Sequence, residues 1–211
     1  MSLRRLTLGC CEEMAQVLWD QPELEELDIG WYTHGAEELE KHHIPKLRSL
    51  RARLPEAVLL VSGRPVEQLH LSSGMVDEDF DEQLLGRLSL SVGPVTEFST
   101  YFVSSPDAEG VRISLQVLAR NLPQIEKLTI SVGGSISGQV HLPVKILDEI
   151  PSFQCLRRLN FLNAVLATGN ENIPKASIQS EWDNLFAQLK DLCPLLAFAQ
   201  FTSPMYFGCW D

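Results

Sequence analysis

Leu3-Arg-Arg-Leu6-Thr-Leu8 carries a pattern, L-x-x-L-x-L, that returns along almost the whole chain. Close copies stand at Leu24-Glu-Glu-Leu27-Asp-Ile29, Leu47-Arg-Ser-Leu50-Arg-Ala52, Val66-Glu-Gln-Leu69-His-Leu71, Ile125-Glu-Lys-Leu128-Thr-Ile130 and Leu156-Arg-Arg-Leu159-Asn-Phe161. Looser ones begin at Val95, with Phe98 as the second apolar position, and at Leu196, with Ala199 and Phe201. Successive side chains of a strand point to opposite faces, so Leu6 and Leu8 turn inward while Arg5, Thr7 and Gly9 turn outward. The first apolar residue anchors the turn into the strand. One such unit cannot bury its apolar face alone; stacked neighbours bury a continuous core.

The starts fall at 3, 24, 47, 66, 95, 125, 156 and 196, with intervals of 19 to 40 residues, so the array is irregular. Helix-like segments fill the spaces. Met14, Val17 and Leu18 share one helical face within residues 10–19. Residues 107–120 read as a mainly apolar helix closed by Asn121-Leu-Pro, and 144–150 behave alike. Within 179–192, Trp182, Leu185, Phe186 and Leu189 recur at helical spacing behind Ser180 as N-cap. Residues 84–90 read as a helix end. Loops are expected at Ser72–Gly74, Ser104–Gly110, Gly133–Gly138 and Ala167–Pro174, none with the composition of a linker. The expected fold is an α/β leucine-rich-repeat solenoid of about eight irregular repeats, a single domain over residues 1–211. Its parallel strands line the concave side; helices and loops form the convex side.

A net charge of −11, from 28 acids against 17 Lys and Arg, repels phosphate backbones. The charges cluster: Glu12 to Glu40 hold ten acids, while Lys41, Lys46, Arg48, Arg51, Arg53 and Arg64 form a basic stretch, and Asp77 to Glu82 a second acidic run. Solvated faces are the plain reading of each run. Five cysteines, Cys10, Cys11, Cys155, Cys193 and Cys209, with no C-x-x-C spacing, point to neither a disulfide framework nor zinc. No glycosylation sequon or long apolar run occurs, and the expected setting is intracellular, cytoplasmic or nuclear.

Catalytic signatures are hard to find. Gly133-Gly-Ser-Ile-Ser-Gly138 misses both the nucleophile-elbow spacing and the Lys-Ser/Thr of a phosphate loop. His42 and His43 are adjacent, hence splayed about 100° apart on a helix. His34, His70 and His141 are scattered. Cys11 reads as a core thiol, and Glu12 and Glu13 oppose an activated cysteine nearby. No catalytic residue, metal or cofactor is expected.

The units Cys193-Pro194-x-Leu196, Leu-Arg-Arg-Leu at 3–6 and 156–159, and Ser91-Val-Gly-Pro-Val-Thr-Glu-Phe98 resemble the leucine-rich-repeat (ribonuclease-inhibitor-like) regions of fungal F-box proteins. The resemblance implies a substrate-recognition part of a ubiquitin ligase, whose F-box docks on the ligase adaptor. Such a module needs roughly 40–50 residues ahead of the repeats; here the repeat begins at Leu3, so the adaptor is an expected partner only through an F-box outside this chain. The expected function is a non-enzymatic protein-interaction scaffold. Its binding face would be Arg5, Thr7, Glu26, Asp28, Ser49, Arg51, Gln68, His70, Glu97, Ser99, Lys127, Thr129, Arg158, Asn160, Phe198 and Gln200, the outward positions of the eight strands. Alternatives are a free-standing repeat protein without a ubiquitin role, a hydrolase built from loops, or a polyanion or membrane-surface binder using Lys41–Arg64. Phe198 stands out: an outward aromatic calls for a cover, and a slip of one residue would bury it instead.

Overall fold

The computed structural model describes residues 3–11, 13–33, 35–74, 82–102, 108–132, 141–162, 165–167, 175–203 and 206–210. Its strands, in chain order, are β1 (Arg5–Cys11), β2 (Glu26–Thr33), β3 (Ser49–Ala52), β4 (Gln68–Gly74), β5 (Glu97–Phe102), β6 (Lys127–Val132), β7 (His141–Pro143), β8 (Arg158–Leu162), β9 (Val165–Ala167), β10 (Phe198–Ser203) and β11 (Tyr206–Trp210). The helices are α1 (Met14–Leu18), α2 (Leu54–Val61), α3 (Glu82–Arg87), α4 (Ala108–Asn121) and α5 (Lys175–Leu192), with 3-10 turns at Ala36–Glu38, Leu88–Leu90 and Val144–Ser152. One open sheet holds β1 to β6, β8 and β10 side by side in chain order, all parallel, and β11 folds back antiparallel on β10. β7 and β9 pair in a separate parallel ribbon.

The strands are joined by the same contact at all seven junctions. The carbonyl of the residue just before or opening each strand accepts two N–H groups from the next strand's entry. Arg4 O takes Glu25 and Glu26, Glu25 O takes Arg48 and Ser49, and the series runs through Arg48, Glu67, Thr96, Glu126 and Arg157, all at 2.7–3.1 Å. This fixes register before any side chain is counted. Inward residues then stack into a column, Leu6–Leu27–Leu50–Leu69–Phe98–Leu128–Leu159–Ala199, in register throughout. The anchors Leu24, Leu47, Val66, Val95, Ile125, Leu156 and Leu196 are buried beneath it, and strand and helix residues share one hydrophobic cluster from Met14 to Ala199. Only the first anchor, Leu3, stays 41% exposed, because no strand lies outside β1 among the described residues to cover it.

Several local expectations change. Cys10 and Cys11 belong to β1, paired with Tyr32 and Thr33 of β2, so the helix expected from residue 10 begins only at Met14. Gly30 permits the bulge between these strands: a Cβ there would come within 2.1 Å of Gly9 O. The loop expected at Ser72–Gly74 continues β4, where Gly74 pairs with Tyr101 of β5 beyond a register shift after His70. Ser180 lies inside α5, which starts at Lys175 directly after Pro174, so it is no cap. Residues 144–150 wind as a 3-10 turn rather than an α-helix, with Pro151 inside it. The expected loops at Ser104–Gly110, Gly133–Gly138 and Ala167–Pro174 lie largely outside the described residues. Helix α2 has no counterpart among the helix-like segments read above. Leu54, Ala57, Val58 and Val61 are buried at helical spacing, with Leu60 buried beside them and Pro55, Glu56 and Leu59 half-buried, so the pattern was present in an almost wholly apolar run.

Arg64 holds the end of α2. Its guanidinium is 1% exposed and has five backbone carbonyls as partners: Nε donates to His43 O (3.1 Å), Nη2 to Glu40 O (2.7 Å), and Nη1 reaches Leu59, Leu60 and Ser62 O (3.0–3.3 Å). Leu59 and Leu60 lie in the last turn of α2, where carbonyls lack helical partners, and Gly63 (φ 72°) makes the left-handed exit. The carbonyl of Arg64 in turn accepts Val92 N–H and the Ser91 hydroxyl. One residue therefore links the turn after β2, the helix after β3 and the segment before β5. Burial pushes its pKa down to about 10, which leaves it charged at neutral pH.

Arg64→Met keeps the bulk but strips these carbonyls of their donors, and a loss of about 3 kcal/mol or more is expected in denaturant unfolding. An unchanged midpoint would contradict the role assigned to the guanidinium. The reverse sign is expected at Thr100, a buried residue whose Oγ1 has no hydrogen-bond partner among the described residues. Thr100→Val swaps that hydroxyl for a methyl of the same shape and should stabilise the fold by about 1 kcal/mol; a destabilised variant would show that the hydroxyl is satisfied in solution.

Candidate functional site

Because the register is continuous, the outward residues form two unbroken rows across eight strands. The first is Arg5–Glu26–Ser49–Gln68–Glu97–Lys127–Arg158–Phe198, and the second Thr7–Asp28–Arg51–His70–Ser99–Thr129–Asn160–Gln200. All sixteen positions read from the sequence are thus brought onto one face of the sheet. The last strand has not slipped: Ala199 is buried in the core column, and Phe198 sits outward and half-buried, in register with Arg158.

Neighbouring strands mostly bring opposite charges or hydrogen-bonding pairs together. Arg5 pairs closely with Glu26, Nε and Nη2 both reaching Oε2, and Arg51 Nε lies 4.0 Å from Asp28 Oδ1. Glu97 is engaged through both oxygens, accepting from Gln68 Nε2 (3.3 Å) and from Lys127 Nζ (3.0 Å). Asn160 Nδ2 donates to Thr129 Oγ1 at 3.1 Å. The small side chains Thr7 and Ser49 leave an open depression of about 270 Å³ between Arg5, Asp28, Arg51 and His70. The face carries four cations (Arg5, Arg51, Lys127, Arg158) against three carboxylates (Glu26, Asp28, Glu97), whereas the chain as a whole carries −11. It is a region of near-neutral, mixed charge on a strongly acidic protein.

His70 occupies the middle of this surface. Burial lowers its pKa, the cations Arg51 and Lys127 lower it further, and Glu97 and Asp28 pull the other way. The imidazole is therefore neutral at pH 7, with a ring nitrogen free to accept a hydrogen bond.

A third line was not among the positions expected from the sequence. At the entry to each strand stand Arg4, Glu25, Arg48, Glu67, Thr96, Glu126 and Arg157, and their signs alternate wherever two charges adjoin. Arg4 meets Glu25 at 3.9 Å, Arg48 meets Glu67 at 3.8 Å, and Arg157 meets Glu126 at 3.6 Å. The signal was present as the second letter of each L-x-x-L, which reads R, E, R, E, T, E, R and A along the chain. Such exposed pairs contribute little each, about 0–1 kcal/mol, but they spend charge locally. The basic stretch from Lys41 to Arg64 is offset in part for this reason. Lys46 binds Glu23 at 2.6 Å, Arg48 and Arg51 face Glu67 and Asp28, and Arg64 is buried. Four of the six cations of that stretch are thus paired or buried.

The rings of His42 and His43 lie 4.1 Å apart and tilted by 50°, with Trp19 6.2 Å from His43, and among the described residues no group of three or more His, Cys, Asp or Glu is arranged to hold a metal ion. His34 and the side chain of His141 lie outside what is described. Cys11 packs half-buried against the core, as its place in the pattern required. No helix among the described residues is long and apolar enough to cross a membrane. No protein-family model matches the chain, and no curated protein matches it.

The His70 arrangement has a consequence for pH dependence. Its folded pKa lies below the ordinary value of about 6.5, so between those two values the unfolded chain binds more protons. Stability is then fully present above the ordinary value and falls as pH drops toward the folded pKa. NMR titration should place the His70 midpoint below that of an exposed histidine, and His70→Asn should flatten the acid limb of the stability curve. A midpoint at or above the ordinary value would contradict the burial argument.

Proposed function

We propose that this chain is a leucine-rich-repeat solenoid acting as a non-enzymatic protein-interaction scaffold, with the polar face of its parallel sheet as the binding surface. One observation carries the reading: sixteen outward residues from eight strands lie in two continuous rows, with no helix or loop seen to cross them among the described residues. A rigid sheet presents such residues at fixed spacings of about 4.8 Å, so a partner meets a preorganised pattern and little ordering entropy is lost. Mixed charge, neutral hydrogen-bonding groups and an outward aromatic suit a protein surface, where a few anchors dominate the energy. By its resemblance, the chain would be the substrate-recognition part of an F-box-like ubiquitin-ligase component, with the adaptor bound by an F-box elsewhere in the polypeptide. A free-standing binding protein is the second form of the same reading.

The test places an obstacle on the face without disturbing the core. Ser49→Arg and Ser99→Arg each add a long side chain to one of the rows. A partner isolated with the wild-type chain, then measured with purified components, should lose at least about tenfold in affinity to one or both variants. A partner indifferent to both would overturn the assignment of this face. The ligase half has its own readout: the partner should accumulate when the gene is deleted, and a half-life that ignores the deletion leaves only the free-standing form.

A further inference from the structure

The rows obey one electrostatic rule with a single exception. Where two charged residues stand in register on adjacent strands, their signs are opposite: Arg5 with Glu26, Asp28 with Arg51, Glu97 with Lys127, and, in the entry line, Arg4 with Glu25, Glu25 with Arg48, Arg48 with Glu67 and Glu126 with Arg157. Lys127 and Arg158 break it, two cations directly opposite each other on β6 and β8. Like charges in that relation destabilise a sheet. Glu97 offsets only Lys127: its Oε2 accepts from Lys127 and its Oε1 from Gln68, so the unmatched cation is Arg158. The Arg158 side chain is exposed, and no ion pair or hydrogen bond holds it among the described residues. Beside it in the same row is Phe198, the outward aromatic. An unmatched cation and an outward aromatic thus stand side by side on a sheet whose other charges in register are matched, a pairing that a carboxylate beside an apolar group would complement.

We propose that Lys127, Arg158 and Phe198 form the anchor subsite for an extended peptide segment carrying a carboxylate side chain and, two residues away, an apolar one. The spacing follows from the sheet. A carboxylate seated between Lys127 and Arg158 lies about one and a half strand separations, roughly 7 Å, from Phe198. In an extended peptide crossing the strands, residues i and i+2 project to the same side about 6.6–6.8 Å apart. The recognised element is therefore acidic–x–apolar, its carboxylate restoring the alternation of charge and its apolar side chain covering the Phe198 ring. The guanidinium fork of Arg158 supplies bidentate recognition and the ammonium of Lys127 a second charge.

This subsite rests on the reading of the sheet face as a binding surface, and the experiment separates the two. A random-peptide display library is selected on the full chain, and enriched peptides are measured by fluorescence anisotropy. The expected outcome is enrichment of Asp or Glu two positions from Leu, Ile, Phe or Met. Binding should fall at least tenfold on changing the acid to its amide, and equally with Arg158→Ala or Phe198→Ala. Arg158→Glu, which restores opposite charges in register with Lys127, should abolish binding while raising the thermal midpoint. That combination distinguishes a binding residue from a structural one. No enrichment, an enriched set without an acidic position, or undiminished binding to Arg158→Ala would overturn the proposal. Peptides blocked by Ser49→Arg or Ser99→Arg yet indifferent to Arg158→Ala would keep the face and discard this subsite.

Discussion

Every level of this structure depends on one backbone contact, the carbonyl at each strand entry that accepts two N–H groups from the next strand. A main-chain acceptor has two lone pairs, and here both are used to hold the following strand at a fixed height. A sheet slipped by one residue would turn Leu27, Leu50, Leu69, Leu128 and Leu159 to solvent together, so the apolar column and the entry contact enforce the same register. The spaces between strands vary from 19 to 40 residues in their starts, yet the strands stay aligned. Irregularity is absorbed where it does not alter that contact, in the segments of the second layer.

That second layer is held by less uniform means. The middle of the chain leans on Arg64, a cation whose buried guanidinium has carbonyls rather than carboxylates as partners. An arginine suits this task because its planar fork offers five donors in fixed directions, while α2 ends with carbonyls that no helical N–H can reach. The arrangement joins three successive connections that have no sequence pattern in common.

Charge on the outer surface is handled by adjacency. On an acidic chain, most cations of the sheet stand next to a carboxylate of a neighbouring strand, which offsets much of the apparent basic stretch. Proximity in sequence therefore misleads here, since residues about 20 to 30 apart are the true electrostatic neighbours. The same logic gives Lys127 and Arg158 their significance: an exception is visible only where the rule around it is consistent.

The eight strand positions, the inward and outward alternation, and all sixteen face residues were legible in L-x-x-L-x-L, because a period of two reveals facing without knowledge of what packs where. Phe198 outward and Ala199 inward followed from that period even in the loosest copy. What the pattern left open was decided by contacts between distant segments. Helix α2 escaped because its run, apolar but for Glu56 and only eight residues long, reads equally as strand or helix by periodicity. Cys10, Cys11 and Gly74 became strand because a neighbouring strand was there to pair with them. Arg64 reads as one more surface charge in the sequence, and only the convergence of carbonyls from Glu40, His43, Leu59, Leu60 and Ser62 makes it a buried tie. Local periodicity, in short, specifies which way a side chain points; which other side chain or carbonyl it meets is set by register and stacking, which exist only in the folded chain.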